Sequence, residues 1–256
     1  MKAIFFILLI LLSINQNDMI GQTNPEMKVT ELMFLVDITD LEIFEEIRND
    51  FNSNLPIFFA NTRAGKIKEY ETFKLSVCPI GSNGILTITT KSIQIPRKGL
   101  ATNEVKRLSD PQPLMKMLKE QLNNYEQQVI TNSDRSLIID VILKAISQLN
   151  ENAENSILVV LSDFLEFSDI ANFYKKIPNA IEIESIMKNI DIITLNSARK
   201  KIEQGCTPEV VLVFKQKSKF KQSAELKLFW AEFFKKIGIR NVVFIDNFTQ
   251  DPQLKI

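Results

Sequence analysis

Histidine is missing altogether, 0 of 256 residues. That one absence removes the Ser-His-Asp triad, the Cys-His dyad, His-ligated zinc and haem held by an axial His. Glycine is scarce, with 7 residues at Gly21, Gly65, Gly81, Gly84, Gly99, Gly205 and Gly238. No pair of them has GxGxxG or P-loop spacing, so the usual cradles for nucleotide phosphates are absent. Neither sign of charge is in excess: Lys+Arg is 31 and Asp+Glu is 31. A general nucleic-acid binder carries a basic surplus, so nucleic acid is not the expected partner. What the chain has is ordinary for a globular protein, 45% hydrophobic and 24% charged residues. Its length buries a full core without disulfide or metal staples.

The N-terminus reads as a targeting segment. Lys2 precedes an apolar stretch from Ala3 to Ile14, too short for a membrane span of about 20 residues and right for the apolar part of a signal peptide. Gly21-Gln22 is the expected cleavage point. The expectation is a signal peptide over 1–22, one domain over 23–256, and export to the periplasm, the cell envelope or the medium. A retained anchor is the other reading, and the membrane is then met only through this segment. No cysteine lies near the cleavage point, so a lipoprotein is not expected. Cys78 and Cys206 fall at opposite edges of the sheet read below. A bridge needs Cα atoms within ~7 Å, so none is expected.

Along the rest of the chain, buried runs alternate with helical spacing. Glu31 to Asp37, Asn155 to Asp163 and Pro208 to Phe214 are continuous apolar runs, the mark of parallel strands covered on both faces. Phe73 to Ile80 alternates, Gly81 to Gly84 turns, and Ile85 to Thr90 alternates again, giving a hairpin with an antiparallel edge. Asn241 to Ile245 is the last strand. Helices are expected over Asp40–Phe51, Pro111–Ile130, Ser136–Leu149, Asp169–Lys176 and Ala224–Ile237. The last turns Leu228, Phe229, Phe233 and Phe234 inward and ends on Gly238 as a C-cap. Pro96–Asp110 and Asn179–Gln204 read as excursions with short helices. The pattern predicts an α/β fold, doubly wound, with a mostly parallel six-stranded sheet and right-handed crossovers.

Ligands in such sheets bind at the carboxyl ends of strands. Two strands end in acids, Asp37-Ile38-Thr39-Asp40 and Ser162-Asp163. A third cluster, Thr131 to Ser136 with Asp134, opens a helix. Carboxylate and hydroxyl oxygens converging there suit a hard divalent ion such as Mg2+. The bland alternative is that Asp37, Asp163, Thr39 and Ser136 cap helices and that Asp40 is a solvated first-turn acid.

The arrangement resembles a von Willebrand factor A domain, a family that binds a divalent ion at an adhesion site built on DxSxS, a helix-opening hydroxyl and a later Asp. Asp37 and Thr39 match the first two positions of DxSxS, and Leu41 stands where the third takes Ser. Ser136 resembles the helix-opening hydroxyl and Asp163 the later acid. Cys78-Pro79, Phe173-Tyr174 and Phe229-Trp230 with Gly238 are similar to features of bacterial members with a DxTD version of the first motif. The resemblance covers Glu31 to Ile245. It implies strand order 3-2-1-4-5-6, Mg2+ or Mn2+ at Asp37, Thr39, Ser136 and Asp163, and non-catalytic binding of a protein partner. With Leu41 in place, an empty site is the alternative, and the chain is then a metal-free component of an envelope or mobile-element assembly.

Asp40, Asp134, Lys215, Lys217 and Lys219 complete the expected partner surface. The alternating lysines form a basic lip on that reading and a solvated loop on the other. An enzyme of the haloacid-dehalogenase type is the weaker third reading. Its DxDx[TV] motif needs an acid where this chain has Thr39, and threonine is no general acid at neutral pH.

Overall fold

The structure, a computed structural model, describes residues 28–61, 71–84, 87–94, 112–129, 135–179, 181–215 and 223–250. Residues 1–22, where a signal peptide is expected, the stretch Pro96–Asp110, and Asp134, Lys217 and Lys219 lie outside the described residues. The elements are β1 (Lys28–Asp37), α1 (Leu41–Asn61), β2 (Glu71–Ile80), β3 (Thr89–Gln94), α2 (Gln112–Glu126), α3 (Ile138–Ser147), β4 (Ala153–Ser162), α4 (Glu182–Asn189), α5 (Ile192–Glu203), β5 (Glu209–Phe214), α6 (Ser223–Ile237) and β6 (Val242–Ile245).

The strands form one six-stranded sheet in the order β3-β2-β1-β4-β5-β6. Every neighbouring pair is parallel except β2 with β3. The expected order is the order found. β1 is central because its sequence serves two faces at once. Strand alternation sends Leu32, Phe34 and Val36 into one core and Met33 and Leu35 into the other. The first core is closed by Phe44, Ile47, Phe51, Leu55 and Phe58 of α1 and by Leu118 and Leu122 of α2. The second takes the apolar stripes of α3, α4 and α6, with Ile142, Ile186 and Trp230 among them. No helix among the described residues is long and apolar enough to cross a membrane. Cys78 and Cys206 are free, buried thiols.

Four local expectations are corrected. β3 (Thr89–Gln94) is the expected antiparallel edge on β2, but the pairing stops at Val77 with Thr89, so the link between the strands is longer than the expected four-residue turn. Lys144 of α3 donates to the Gly84 carbonyl at 2.8 Å, and Gly84 has φ +62° with Asp140 Oδ2 2.6 Å from where a Cβ would stand. The turn is committed to α3 instead of to the next strand. α1 runs past Phe51 and through Pro56 to Asn61, because Leu55 and Phe58 continue its buried stripe. No helix forms over 169–176. Phe167 pairs there with both Ser136 and Asn172, and Ser168 Oγ accepts from the Ile170 and Ala171 amides, a side-chain turn that competes with helix. In α6, Leu228 points outward at 67% exposed, and Trp230 is the fully buried member of that turn. Gly238 ends the helix as expected, at φ +103° with its amide on Lys235 O and Ile239 N on Phe234 O.

Candidate functional site

β1 and β4 run side by side and end together at Asp37 and Ser162. Ser162 Oγ donates to Asp37 Oδ2 at 2.5 Å. The other carboxylate oxygen, Oδ1, accepts from Thr39 Oγ1 at 2.6 Å and from Thr39 N at 3.0 Å. Asp37 is buried, and burial raises its pKa above the ordinary carboxylate value. The Ser162 and Thr39 hydrogen bonds pull it back, and nearby Asp40 adds to the rise.

The next turn aims Asp163 at the same edge. Asp163 Oδ1 accepts from Leu165 N at 3.0 Å, and Ser162 Oγ accepts from Phe164 N at 2.9 Å. Phe164 stands at φ +61°, a left-handed conformation that costs a side-chain-bearing residue ~1–2 kcal/mol. Packing holds it there. Its ring stacks on Phe214 at 4.3 Å and meets Trp230 at 5.7 Å, and Trp230 Nε1 donates to Phe164 O at 3.2 Å. The lone tryptophan therefore acts at a distance, locking the turn that presents Asp163.

Ser136 reaches the edge by another route. It is not the N-cap of α3: that position is Leu137, which offers no side-chain bond. Ser136 instead makes a two-bond bridge with Phe167, its amide to Phe167 O at 2.9 Å and its carbonyl from Phe167 N at 3.0 Å. The capping is done by Glu166, whose Oε2 accepts from Ile139 N at 2.9 Å. Glu166 is fully buried. Burial pushes its carboxyl up to about 7 despite the hydrogen bonds it accepts. Ser136 itself is buried, and its Oγ has no hydrogen-bond partner. Thr72 Oγ1, Tyr125 Oη and Glu166 Oε1 are likewise without a hydrogen-bond partner, so what sets Ser136 apart is its place at this edge.

Thr39, Asp40, Ser136 and Tyr174 line one cleft of about 380 Å³, together with Arg135, Phe167, Asn172 and Lys175. Tyr174 ties the acids to it. Burial raises its pKa first, followed by the charges of Asp163, Asp37 and Asp40. So Asp37, Thr39, Ser136 and Asp163 gather at this edge, as do Asp40 and Tyr174. Asp40 is the N-cap of α1, its Oδ1 accepting from Ile43 N at 3.1 Å. Leu41 opens that helix and brings no oxygen.

Lys215 does not belong to a partner surface. It is buried, with its ammonium 2.7 Å from Asp50 Oδ2 and 3.2 Å from the Asp246 carbonyl. Only its backbone is near the site, its amide donating to Ser162 O. Sequence reasoning also missed Glu166 as the cap and Arg135 as a cleft residue. Arg135 lies in the Asp134-Arg135-Ser136 cluster that flagged the site, which is the signal that was there to use.

The donor set at the edge is two carboxylates and two hydroxyls, the chemistry of a hard cation rather than a thiophilic one. The orphaned Ser136 Oγ fits such an ion, since it has a lone pair to give and nothing to give it to. Among the described residues there is no cluster of three or more His, Cys, Asp or Glu able to hold a metal, so hydroxyls have to supply part of any coordination here.

No family model matches the chain, and neither does any curated protein. Among solved structures it is similar to a point mutant of the PilB minor pilin from Streptococcus sanguinis, at 10% sequence identity and a TM-score of 0.39. The similarity covers 91% of this chain and 60% of that one, so the chain spans less than two thirds of that protein. A likeness this distant names no family for the chain.

Proposed function

We propose that this is a non-catalytic partner-binding domain of the von Willebrand factor A type, doubly wound and exported. On this reading Asp37, Thr39, Ser136 and Asp163 hold a divalent ion, Mg2+ or Mn2+, at the carboxyl edge of the sheet. The observation that carries the reading is the buried Ser136 hydroxyl without a partner, on a residue that lines the same cleft as Thr39. A fold stores an unmet hydroxyl at a cost of about 1–3 kcal/mol, and a ligand to complete it is the economical reason. Export rests on the leader pattern of residues 2–14 and on nothing else.

The chain's own residues have separable roles here. Asp37 and Asp163 supply negative charge from rigid strand ends. Thr39 and Ser136 supply neutral oxygens. Ser162 orients Asp37, and the Phe164 turn orients Asp163. Leu41 leaves one coordination position without a protein oxygen. A bound ion supplies an electrophilic position there that takes a carboxylate oxygen from a partner.

Calorimetric titration of Mg2+ and Mn2+ into the chain tests the reading. One saturable site is expected, lost in both Asp37→Asn and Asp163→Asn while the thermal transition stays cooperative. Absence of binding in the parent, or equal binding in both variants, rejects it. The domain then stands as a metal-free scaffold whose acids are turn-formers.

A further inference from the structure

Phe164 is the one residue besides glycine with a positive φ among the described residues, and it directly follows Asp163. Strain of this kind persists only where the surroundings over-determine it. Its release turns the peptide between Phe164 and Leu165. That peptide matters because its amide end, Leu165 N, donates to Asp163 Oδ1 at 3.0 Å. Its carbonyl end, Phe164 O, accepts from Trp230 Nε1 at 3.2 Å. A peptide unit is planar, with its N–H and C=O pointing opposite ways. Holding the carbonyl therefore aims the amide.

Trp230 is fully buried on α6, and it is the only tryptophan of the chain. Its ring stands edge-on to Phe164 at 5.7 Å and edge-on to Phe173 at 6.3 Å. Phe229, the residue before it, meets the same Phe173 ring at 4.6 Å. Phe173 sits between Asn172 and Tyr174, which both line the cleft, and its amide donates to Glu166 O at 2.9 Å. One turn of α6 thus lies against both segments that carry the edge, the turn of Asp163 and the stretch of Asn172 and Tyr174. Packing alone does not account for the indole. A ring against a ring fills volume, and phenylalanine at 230 fills most of it. Only the N–H fixes the orientation of a peptide, and the peptide it fixes is the one that holds Asp163.

From this we infer that Trp230 is a positioning residue of the edge: it grips the Phe164–Leu165 peptide by its carbonyl and so aims the amide that fixes the Asp163 carboxylate. The inference rests on the reading of this edge as an ion site and adds that the geometry of Asp163 is set from α6. The coupling runs both ways, so an ion that orders Asp163 also strengthens the indole bond.

With a single tryptophan in the chain, growth on β-(3-benzothienyl)alanine alters position 230 alone. It replaces the N–H by sulfur and keeps the shape of the ring. Amide exchange is measured on the full chain in EDTA, and Mn2+ affinity by calorimetry, for the parent and the substituted protein. Exchange at Leu165 is expected to quicken at least about fivefold, with Val159 of β4 unchanged. Mn2+ affinity is expected to fall about fivefold while the thermal transition stays cooperative. Trp230→Phe, which also lacks the N–H, is expected to match it. Unchanged exchange at Leu165, an equal rise at Val159, or unchanged affinity where the parent binds Mn2+ overturns the inference. A parent that binds no Mn2+ rejects the ion reading by itself. Faster exchange confined to Leu165 then still supports the positioning of Asp163 by Trp230, and unchanged exchange overturns it.

Discussion

Asp50→Ala destabilises the domain by about 3–5 kcal/mol, the loss expected when a buried ion pair is broken from one side. Asp50 is 7% exposed on α1 and Lys215 6% exposed after β5. Asp50 also accepts from Asn54 Nδ2 at 2.8 Å and from Phe248 N at 3.2 Å. It thus ties α1 to β5 and to the chain beyond β6. Phe248 packs on the same spot, its ring 5.0 Å from Phe51 and 4.7 Å from Phe58. Removing the carboxylate strands an ammonium in that setting. The two halves of the pair are unequal. Lys215→Met leaves Asp50 with Asn54 and the Phe248 amide, and so costs less. The double variant D50L/K215M recovers most of the loss, because two apolar groups need no compensation. Denaturant titration of the four proteins checks this. A smaller loss for Asp50→Ala than for Lys215→Met contradicts the assignment.

Glu166 gives the second large effect, and it depends on pH. Its carboxyl rises from 4.5 to about 7 in the fold. The folded state therefore holds a proton that the unfolded chain releases between those values. The stability from that proton is fully present below about pH 4.5 and is lost as pH rises through about 7. Integrated over that window it is on the order of 3 kcal/mol. Asp37 shifts in the same direction, so the parent's slope alone does not isolate Glu166. Glu166→Gln does. It keeps an acceptor for Ile139 N and does not titrate, so the gap between parent and variant widens in the variant's favour from pH 5 to pH 8. Glu166→Ala leaves a buried helix amide unpaired and is weaker than the parent by about 1–3 kcal/mol near pH 5, and because it does not titrate either, that deficit shrinks as pH rises. Parallel stability curves for parent and Glu166→Gln contradict the burial cause.

Much of the frame was readable from local pattern. A run such as Leu32 to Val36 has no polar face, so only a strand covered on both sides accommodates it. The acids that end β1 and β4 follow from the same reading, and with them the edge where Asp37 and Asp163 stand. What escaped depends on contacts distant in sequence. Lys215 looks like the first of an alternating solvated series, and the partner that buries it is 165 residues away. Asp50 did carry a signal, as the lone acid on the α1 stripe of Ile43, Phe44, Ile47 and Phe51. Ser136 looks like a helix cap because serine before an apolar helix usually is one. Glu166, 27 residues beyond the Ile139 amide it accepts from, takes that job and leaves the hydroxyl unmet. The left-handed Phe164 has no sequence signature at all, since only Phe214 and Trp230 make it tenable.

Ser136→Ala puts the central claim to its most direct test, with Mn2+ affinity and thermal stability measured on the same protein. The hydroxyl has no hydrogen bond to lose, so its removal is expected to leave the fold as stable or to raise its stability by about 1 kcal/mol. Mn2+ affinity is expected to fall at least about tenfold, because a ligand oxygen has gone. Unchanged Mn2+ affinity in a stable Ser136→Ala protein contradicts the claim that this hydroxyl is kept for an ion.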